Sequence, residues 1–249
     1  MVIASHRRVT DGMILLLIVI CAWQALYAVV GAVALSPPLA TVKNAWGLLT
    51  DADFWPNVAS SFRALGLALA IEVSGGLVLG ALLGLNRLAG EVVEPIIMGF
   101  YSVPKIVFYP VVLMVCGIGL TSVVVFAVMH GILPIILFTM NAVRAIRPMY
   151  LRTGRVLRLS VWHTVWRIAL PAAIPEVFTG LRIGFAATML GVLLSEMFGS
   201  KNGIGFLLMN AIGLNHVNEI MALTFLLAGF AALVNLTLLA IDRRLHGVR

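Results

Sequence analysis

Apolar stretches of about twenty residues recur along this chain, and they limit its possible folds more than any other feature. A helix rising about 1.5 Å per residue needs about twenty such residues to cross a hydrocarbon layer about 30 Å thick. Six stretches qualify, at residues 13–35, 64–86, 96–116, 120–143, 177–198 and 219–241. The chain is 61% hydrophobic and only 11% charged, with mean hydropathy +1.08, more apolar than one soluble core requires. The sequence therefore predicts an all-α, polytopic membrane protein of about six transmembrane helices. Residues 1–249 read as a single transmembrane domain, because the connections are too short for a separate soluble one.

Charge orients the spans. Arg87, then Arg144, Arg147, Arg152, Arg155, Arg158 and Arg167, then Arg243, Arg244 and Arg249 fall in alternate connections, which positive-inside bias places in the cytoplasm. The other connections keep mainly Lys43, Arg63 and Lys201. Both termini are thus expected in the cytoplasm, and an even number of spans agrees. The net charge of +7 has this origin, so no nucleic-acid partner is expected. Arg7, Arg8 and the small residues Ala32-Val33-Ala34 imitate a signal peptide, but the apolar run exceeds the usual h-region and reads as an uncleaved first span. Pro37 and Pro38 end it, and Trp46, Phe54 and Trp55 mark an interfacial segment on the outer side. Cys21 and Cys116 lie inside apolar runs and read as small buried thiols rather than a disulfide or a metal site.

Within the second span Gly76, Gly80 and Gly84 repeat every four residues, a helix-packing row that lets another backbone approach. Ala68 and Glu72 continue the row, so Glu72 is expected to face protein. Charges inside spans are costly and are functional candidates. Glu72, Lys105 and Glu196 are the pathway candidates, with internal pairing or snorkelling as the plainer reading. Lys105 follows Pro104, a position for a kink. His130, near Pro134, reads first as a hydrogen-bonded packing histidine. No HExxH, CxxC or GxxxxGK[ST] pattern is present, so no catalytic residue, metal site or P-loop is assigned. A proton-coupled secondary transporter using Glu72, His130 and Glu196 is the alternative function, and an intramembrane enzyme a more distant one.

The connection at 144–176 is long and amphipathic: Val161, Val165 and Ile168 recur at helical spacing among arginines. It reads either as a helix lying on anionic lipid, with Trp162 and Trp166 among headgroups, or as a docking helix for a soluble partner. Here the sequence resembles the membrane permease subunits of binding-protein-dependent ABC importers, in the nitrate, sulfonate and taurine branch. The resemblance rests on SVPKIVFYPVVLMVCGIGLTS from Ser102, GILPIILFTMNAVRAIRPMYL from Gly131, IALPAAIPEVFTGLRIGF from Ile168 and SEMFGSKNGIGFLLMNA from Ser195. It covers most of Asn57 to Arg244. The family's loop carries a Glu-Ala-Ala signature, a later glycine and a closing Ile-x-Leu-Pro. Here the close is intact in Ile168, Leu170 and Pro171, but Arg152, Thr153 and Gly154 stand at the signature and Arg158 at the glycine. Arginine there favours helix continuation over a turn.

The resemblance implies a type I ABC importer permease with a cytoplasmic coupling helix, in a bacterial-type inner membrane. It implies a pair of ATPase subunits that carry ATP and Mg, a second permease of the same or a different chain, and an extracytoplasmic substrate-binding protein. It places the contact with the ATPase at Ser160, Val161, Trp162, His163, Val165 and Trp166. This chain is then a transport subunit without a cofactor of its own, surrounded by membrane lipid. Members of the branch take small anions, and relatives also take neutral or cationic vitamin precursors.

Overall fold

A computed structural model describes residues 2–146, 160, 163, 167 and 170–246. All described elements are helical: α1 (Val2–Val30), α2 (Pro38–Thr50), α3 (Phe54–Leu85), α4 (Arg87–Ser102), a 3-10 turn (Lys105–Phe108), α5 (Tyr109–Cys116), α6 (Leu120–Arg144), α7 (Leu170–Gly199), α8 (Ile204–Gly213) and α9 (Val217–His246). Among the described residues five helices are long and apolar enough to cross a membrane, or six if α4 and the Lys105–Cys116 pair form one bent span. The chain divides into two compact units, Met1–Pro56 with Leu207–Phe230, and Asn57–Phe206 with Ala231–Arg249.

In the first unit, α1 stops at Val30 rather than at residue 35, because Gly31 takes φ +78 and its N–H closes on the Tyr27 carbonyl at 2.8 Å. The Trp23 indole donates to the Ser36 carbonyl at 3.0 Å and ties α1 to the following turn. Pro38 opens α2 where its missing N–H costs nothing. Thr41 and Ala45 are buried on one face of α2, whereas Leu39 and Trp46 are exposed on it, the amphipathic pattern of an interfacial helix. Trp55 is also exposed, its indole donating to the Leu49 carbonyl at 3.1 Å, but Phe54 is buried. Cys21 is not buried: it lies on an exposed face of α1, and Cys116 is half-buried.

In the second unit α6 is the central helix. Its apolar window is 61% buried, against 28% for α3 and for α7. Ala64, Leu65 and Ala68 of α3 and Val192 of α7 close on Val123, Val124 and Ala127 of α6. Tyr109 and Val112 of α5 cover Phe126 from another side, with the Tyr109 and Phe126 rings edge-on at 4.8 Å.

The stretch expected as one span at 96–116 is divided. The helices on either side of the break meet at 86°. Pro104 explains the place: a residue before proline is driven out of the helical region, and Val103 is extended at φ −74, ψ 132. The Ser102 hydroxyl turns back onto the Met98 and Gly99 carbonyls, satisfying part of the helix end. Gly117 at φ +73 and Gly119 at φ +138 then reverse the chain into α6.

Candidate functional site

Two rows of glycine seat α6 between its neighbours. On α3, a β-carbon at Gly76 would stand 2.7 Å from Ile135 Cγ2, one at Gly80 2.7 Å from the Ile136 carbonyl, and one at Gly84 2.9 Å from the Met140 carbonyl. On α7, a β-carbon at Gly184 would stand 2.7 Å from Ile135 Cγ1 and one at Gly191 2.8 Å from Ala127 Cα. Ile135 is thus gripped from both sides. Side chains at these glycines would force the helices apart, so their absence sets the interhelical distance.

Beside this seam lies Glu72, fully buried on α3. Its Oε2 receives the Thr188 hydroxyl of α7 at 2.5 Å, and that hydroxyl also reaches the Gly184 carbonyl at 2.8 Å. Gly131 of α6 leaves the space: a β-carbon there would collide with both Thr188 and Glu72. Glu72 Oε1 has no hydrogen-bond partner among the described residues. Three helices therefore converge on one enclosed carboxyl group.

Glu196, 1% exposed on α7, holds a different junction. Its Oε2 accepts from Ser61 of α3 at 2.8 Å and from the Gly205 N–H of α8 at 3.0 Å. Ser61 in turn accepts from the Ile204 N–H at 2.8 Å, and Asn57 accepts from the Gly203 N–H at 2.9 Å. Glu196, Ser61 and Asn57 thus supply the acceptors that the first turn of α8 cannot find within itself. A carboxylate also suits the positive end of that helix.

Lys105 stands apart from both carboxyl groups, half-buried at the bend with its ammonium 4.7 Å above the Tyr101 ring. Of the three pathway candidates it is the least enclosed. His130 is 8% exposed; its Nδ1 lies 3.0 Å from the Phe126 carbonyl and its ring packs edge-on against Phe126. These are the contacts of a packing histidine.

At the end of α6 the Arg144 guanidinium crosses to α4, with Nη1 2.6 Å from Glu94 Oε2. It occupies the space that Gly90 leaves open. The connection at 144–176 follows directly. In it, Ser160 Oγ accepts from the His163 N–H at 3.3 Å and lies 2.7 Å from His163 Nδ1, the bond of a helix cap. Val161, Trp162, Val165 and Trp166 lie outside the described residues, as do Arg152 and Arg158. Leu170 already belongs to α7, so helix occupies 170–176, which the sequence assigned to the loop; Pro171 falls in its first turn, where proline is tolerated.

The sequence reading passed over several participants. Gly180 and Gly184 are four apart, the spacing noticed on α3, and were legible by the same rule. So was Arg182, a charge inside an apolar run, whose Nη2 lies 3.7 Å from Asp242 Oδ2 of α9. Thr179 also reaches Asp242, at 3.3 Å. Asn57, Ser61 and Thr188 gave no such signal, because small polar residues are common in membrane helices.

A glycine-seated bundle of long apolar helices with enclosed polar junctions is the architecture of a polytopic membrane protein. Residues 76–247 match the family described as binding-protein-dependent transport system inner membrane component, and the chain belongs to that family, within the nitrate, sulfonate and taurine branch of ABC permeases. It is 28% identical over 252 residues to the taurine transport system permease protein TauC of Escherichia coli (strain K12), covering 97% of this chain and 91% of that protein. With the nitrate import permease protein NrtB of Synechococcus elongatus it shares 30% identity over 76% of this chain and 71% of the relative. With the bicarbonate transport system permease protein CmpB of the same species it shares 31% over 70% and 63%. The fold is similar to that of the MetNI methionine ABC transporter in an inward-facing form, with TM-score 0.64 and 20% identity over 79% of this chain and 99% of the other. The chain is therefore a multi-pass membrane protein and a transport permease.

Proposed function

We propose that the chain forms half of the translocation pathway of an ATP-driven importer in a bacterial-type inner membrane, with both termini cytoplasmic. A binding protein delivers a small solute to the outer face, and a second permease, a copy of this chain or a different one, supplies the other half of the pathway. A pair of ABC ATPase subunits binds ATP and Mg on the cytoplasmic side. Taurine, nitrate and bicarbonate name the relatives, so the cargo we assign is a small solute with an oxyanion group of that kind or a related small molecule.

The observation that carries this reading is the join between α6 and its loop. The most buried helix, gripped by glycines of α3 and α7, ends at Arg144, which is fastened to Glu94 where the loop begins. Movement of the loop would pass into a packed helix rather than be lost in slack backbone, and packed helices change between discrete arrangements. Ser160, Val161, Trp162, His163, Val165 and Trp166 form the contact with the ATPase, with Ser160 and His163 joined by a hydrogen bond. Lys105, at the bend, faces the pathway; Glu196 acts on it by holding helices in place, and Glu72 lies enclosed beside it.

Gentle purification with identification of the accompanying proteins tests the class. An ATPase and a binding protein are expected, and uptake should stop on ATP depletion yet survive collapse of the proton gradient. A chain that purifies alone and whose uptake follows the proton gradient would overturn the reading. Restoring the family signature with Arg152→Glu and Arg158→Gly should leave transport unchanged or improved. Loss of ATPase binding in that variant would show that the arginines themselves make the contact.

A further inference from the structure

Between α7 and the later part of α9, within the second unit, lies a half-open cavity of about 360 Å³. Phe185, Met189, Ala231 and Ala232 give it apolar walls, and Arg182 and Asn235 are its polar groups. Arg182 stands about 18 Å along α7 from Leu170 at 1.5 Å per residue, near the start of the apolar stretch 177–198. An arginine there is costly and needs a reason. Its contact with Asp242, at 3.7 Å, is an ion contact longer than a hydrogen bond, and among the described residues no shorter polar contact involves Arg182. Asp242 does not line the cavity. Arg182 is therefore paired with a carboxylate that lies outside the cavity while its own side chain is part of the lining, and Asn235 contributes an amide with further donors.

We propose that this cavity is an oxyanion seat, in which Arg182 and Asn235 grip the negatively charged head of a small solute or of a phospholipid. A guanidinium fork matches sulfonate, nitrate, bicarbonate and phosphate alike, since each offers two oxygens in one plane. The apolar walls take the hydrocarbon attached to a sulfonate or a phosphodiester, and the volume lies in the range of small-molecule sites. Asp242 serves as a counter-charge that keeps Arg182 oriented when the seat is empty. As a cargo site the proposal rests on the importer reading above; as an anion site it stands on the cavity alone.

Binding to the purified protein separates the two. The full chain, with whatever subunits accompany it, is placed in nanodiscs of pure phosphatidylcholine and titrated with taurine and with nitrate. A parallel sample in nanodiscs containing phosphatidylglycerol is read for retained lipid by native mass spectrometry. The variants are Arg182→Gln with Asp242→Asn, which removes both charges together and avoids a stranded carboxylate, and Asn235→Leu. If cargo is the occupant, the paired variant weakens taurine or nitrate binding by at least about tenfold and Asn235→Leu by a smaller factor. If lipid is the occupant, the paired variant instead sheds phosphatidylglycerol and leaves the solute titrations flat. Unchanged solute binding together with unchanged lipid retention in a folded paired variant overturns the seat. None of these readings requires ATP, so failure of ATP-dependent uptake would count against the importer assignment and not against the seat.

Discussion

Gly80 and Gly66 sit on the same helix and differ in what a methyl group would meet. At Gly80 it would meet Thr139 and the Ile136 carbonyl, at Gly66 nothing within 4 Å. Alanine is the better helix former by about 0.8–1 kcal/mol, so Gly66→Ala should raise stability slightly. At Gly80 that gain is opposed by overpacking worth about 1–3 kcal/mol against backbone that cannot yield, so Gly80→Ala should lower it. Unfolding in mild detergent with added denaturant measures both, and equal shifts would contradict the packing argument. Glu72→Met gives a second comparison. Thr188 keeps the Gly184 carbonyl as acceptor, and replacing an enclosed carboxyl by an apolar side chain of similar length is often neutral or stabilising. Stability should hold or rise; unchanged stability with lost uptake would mark Glu72 as a working residue of the pathway. At this scale the sequence announced that Gly76, Gly80 and Gly84 admit a neighbour but could not name α6 as that neighbour, because spacing records closeness and not partner. Glu72 was legible as protein-facing for the same reason, whereas its bond to Thr188 depends on how α7 is rotated.

Elements add what single residues do not reveal. Glu196 was conspicuous as a charge in an apolar run, yet its meaning depends on α8, whose first turn begins eight residues later and folds back onto α7 and α3. Removing the carboxylate should leave the Gly205 N–H and the Ser61 hydroxyl enclosed without it, a loss of roughly 1–3 kcal/mol. Glu196→Ala should therefore speed hydrogen exchange at Ile204 and Gly205 while leaving the Ile135 region of α6 protected. Glu196→Gln keeps one carbonyl acceptor and should fall between. Uniform acceleration across the second unit would show that the effect is global and not a cap. The bend between α4 and the Lys105–Cys116 pair was legible in place, from Pro104, but not in size. A proline can kink a helix gently; here the extended Val103 and the 3-10 turn after Pro104 carry the chain to 86°. The helical start at Leu170 was missed because the connection was carried to 176, where the apolar run begins, although Pro171 lies in a first turn and the Thr179 hydroxyl bonds back to the Pro175 carbonyl at 3.1 Å.

For the whole molecule the bent pair decides the topology. If α4 and the Lys105–Cys116 pair together cross the membrane, the spans number six and the ends of the chain lie on one side; if they turn back within it, the spans number five and the ends lie apart. The distribution of arginine favours six, since Arg87, Arg144 and the pair Arg243 and Arg244 then share the cytoplasmic side. Single cysteines placed in a chain carrying Cys21→Ala and Cys116→Ala can be read with a membrane-impermeant maleimide. Positions Lys43, Ile118 and Lys201 should react on intact cells, and Arg87 and Arg244 only after permeabilisation. Ile118 is the informative one: it is exposed, in the turn between Gly117 and Gly119, at the far end of the bent pair from Arg87. Reaction of Ile118 from the same side as Arg87 would make the pair re-entrant and reverse α6, carrying Arg144 and the loop that follows it to the outer face. Placing the loop in the cytoplasm, and with it any contact with an ATPase, thus depends on a bend that Pro104 makes legible in the sequence.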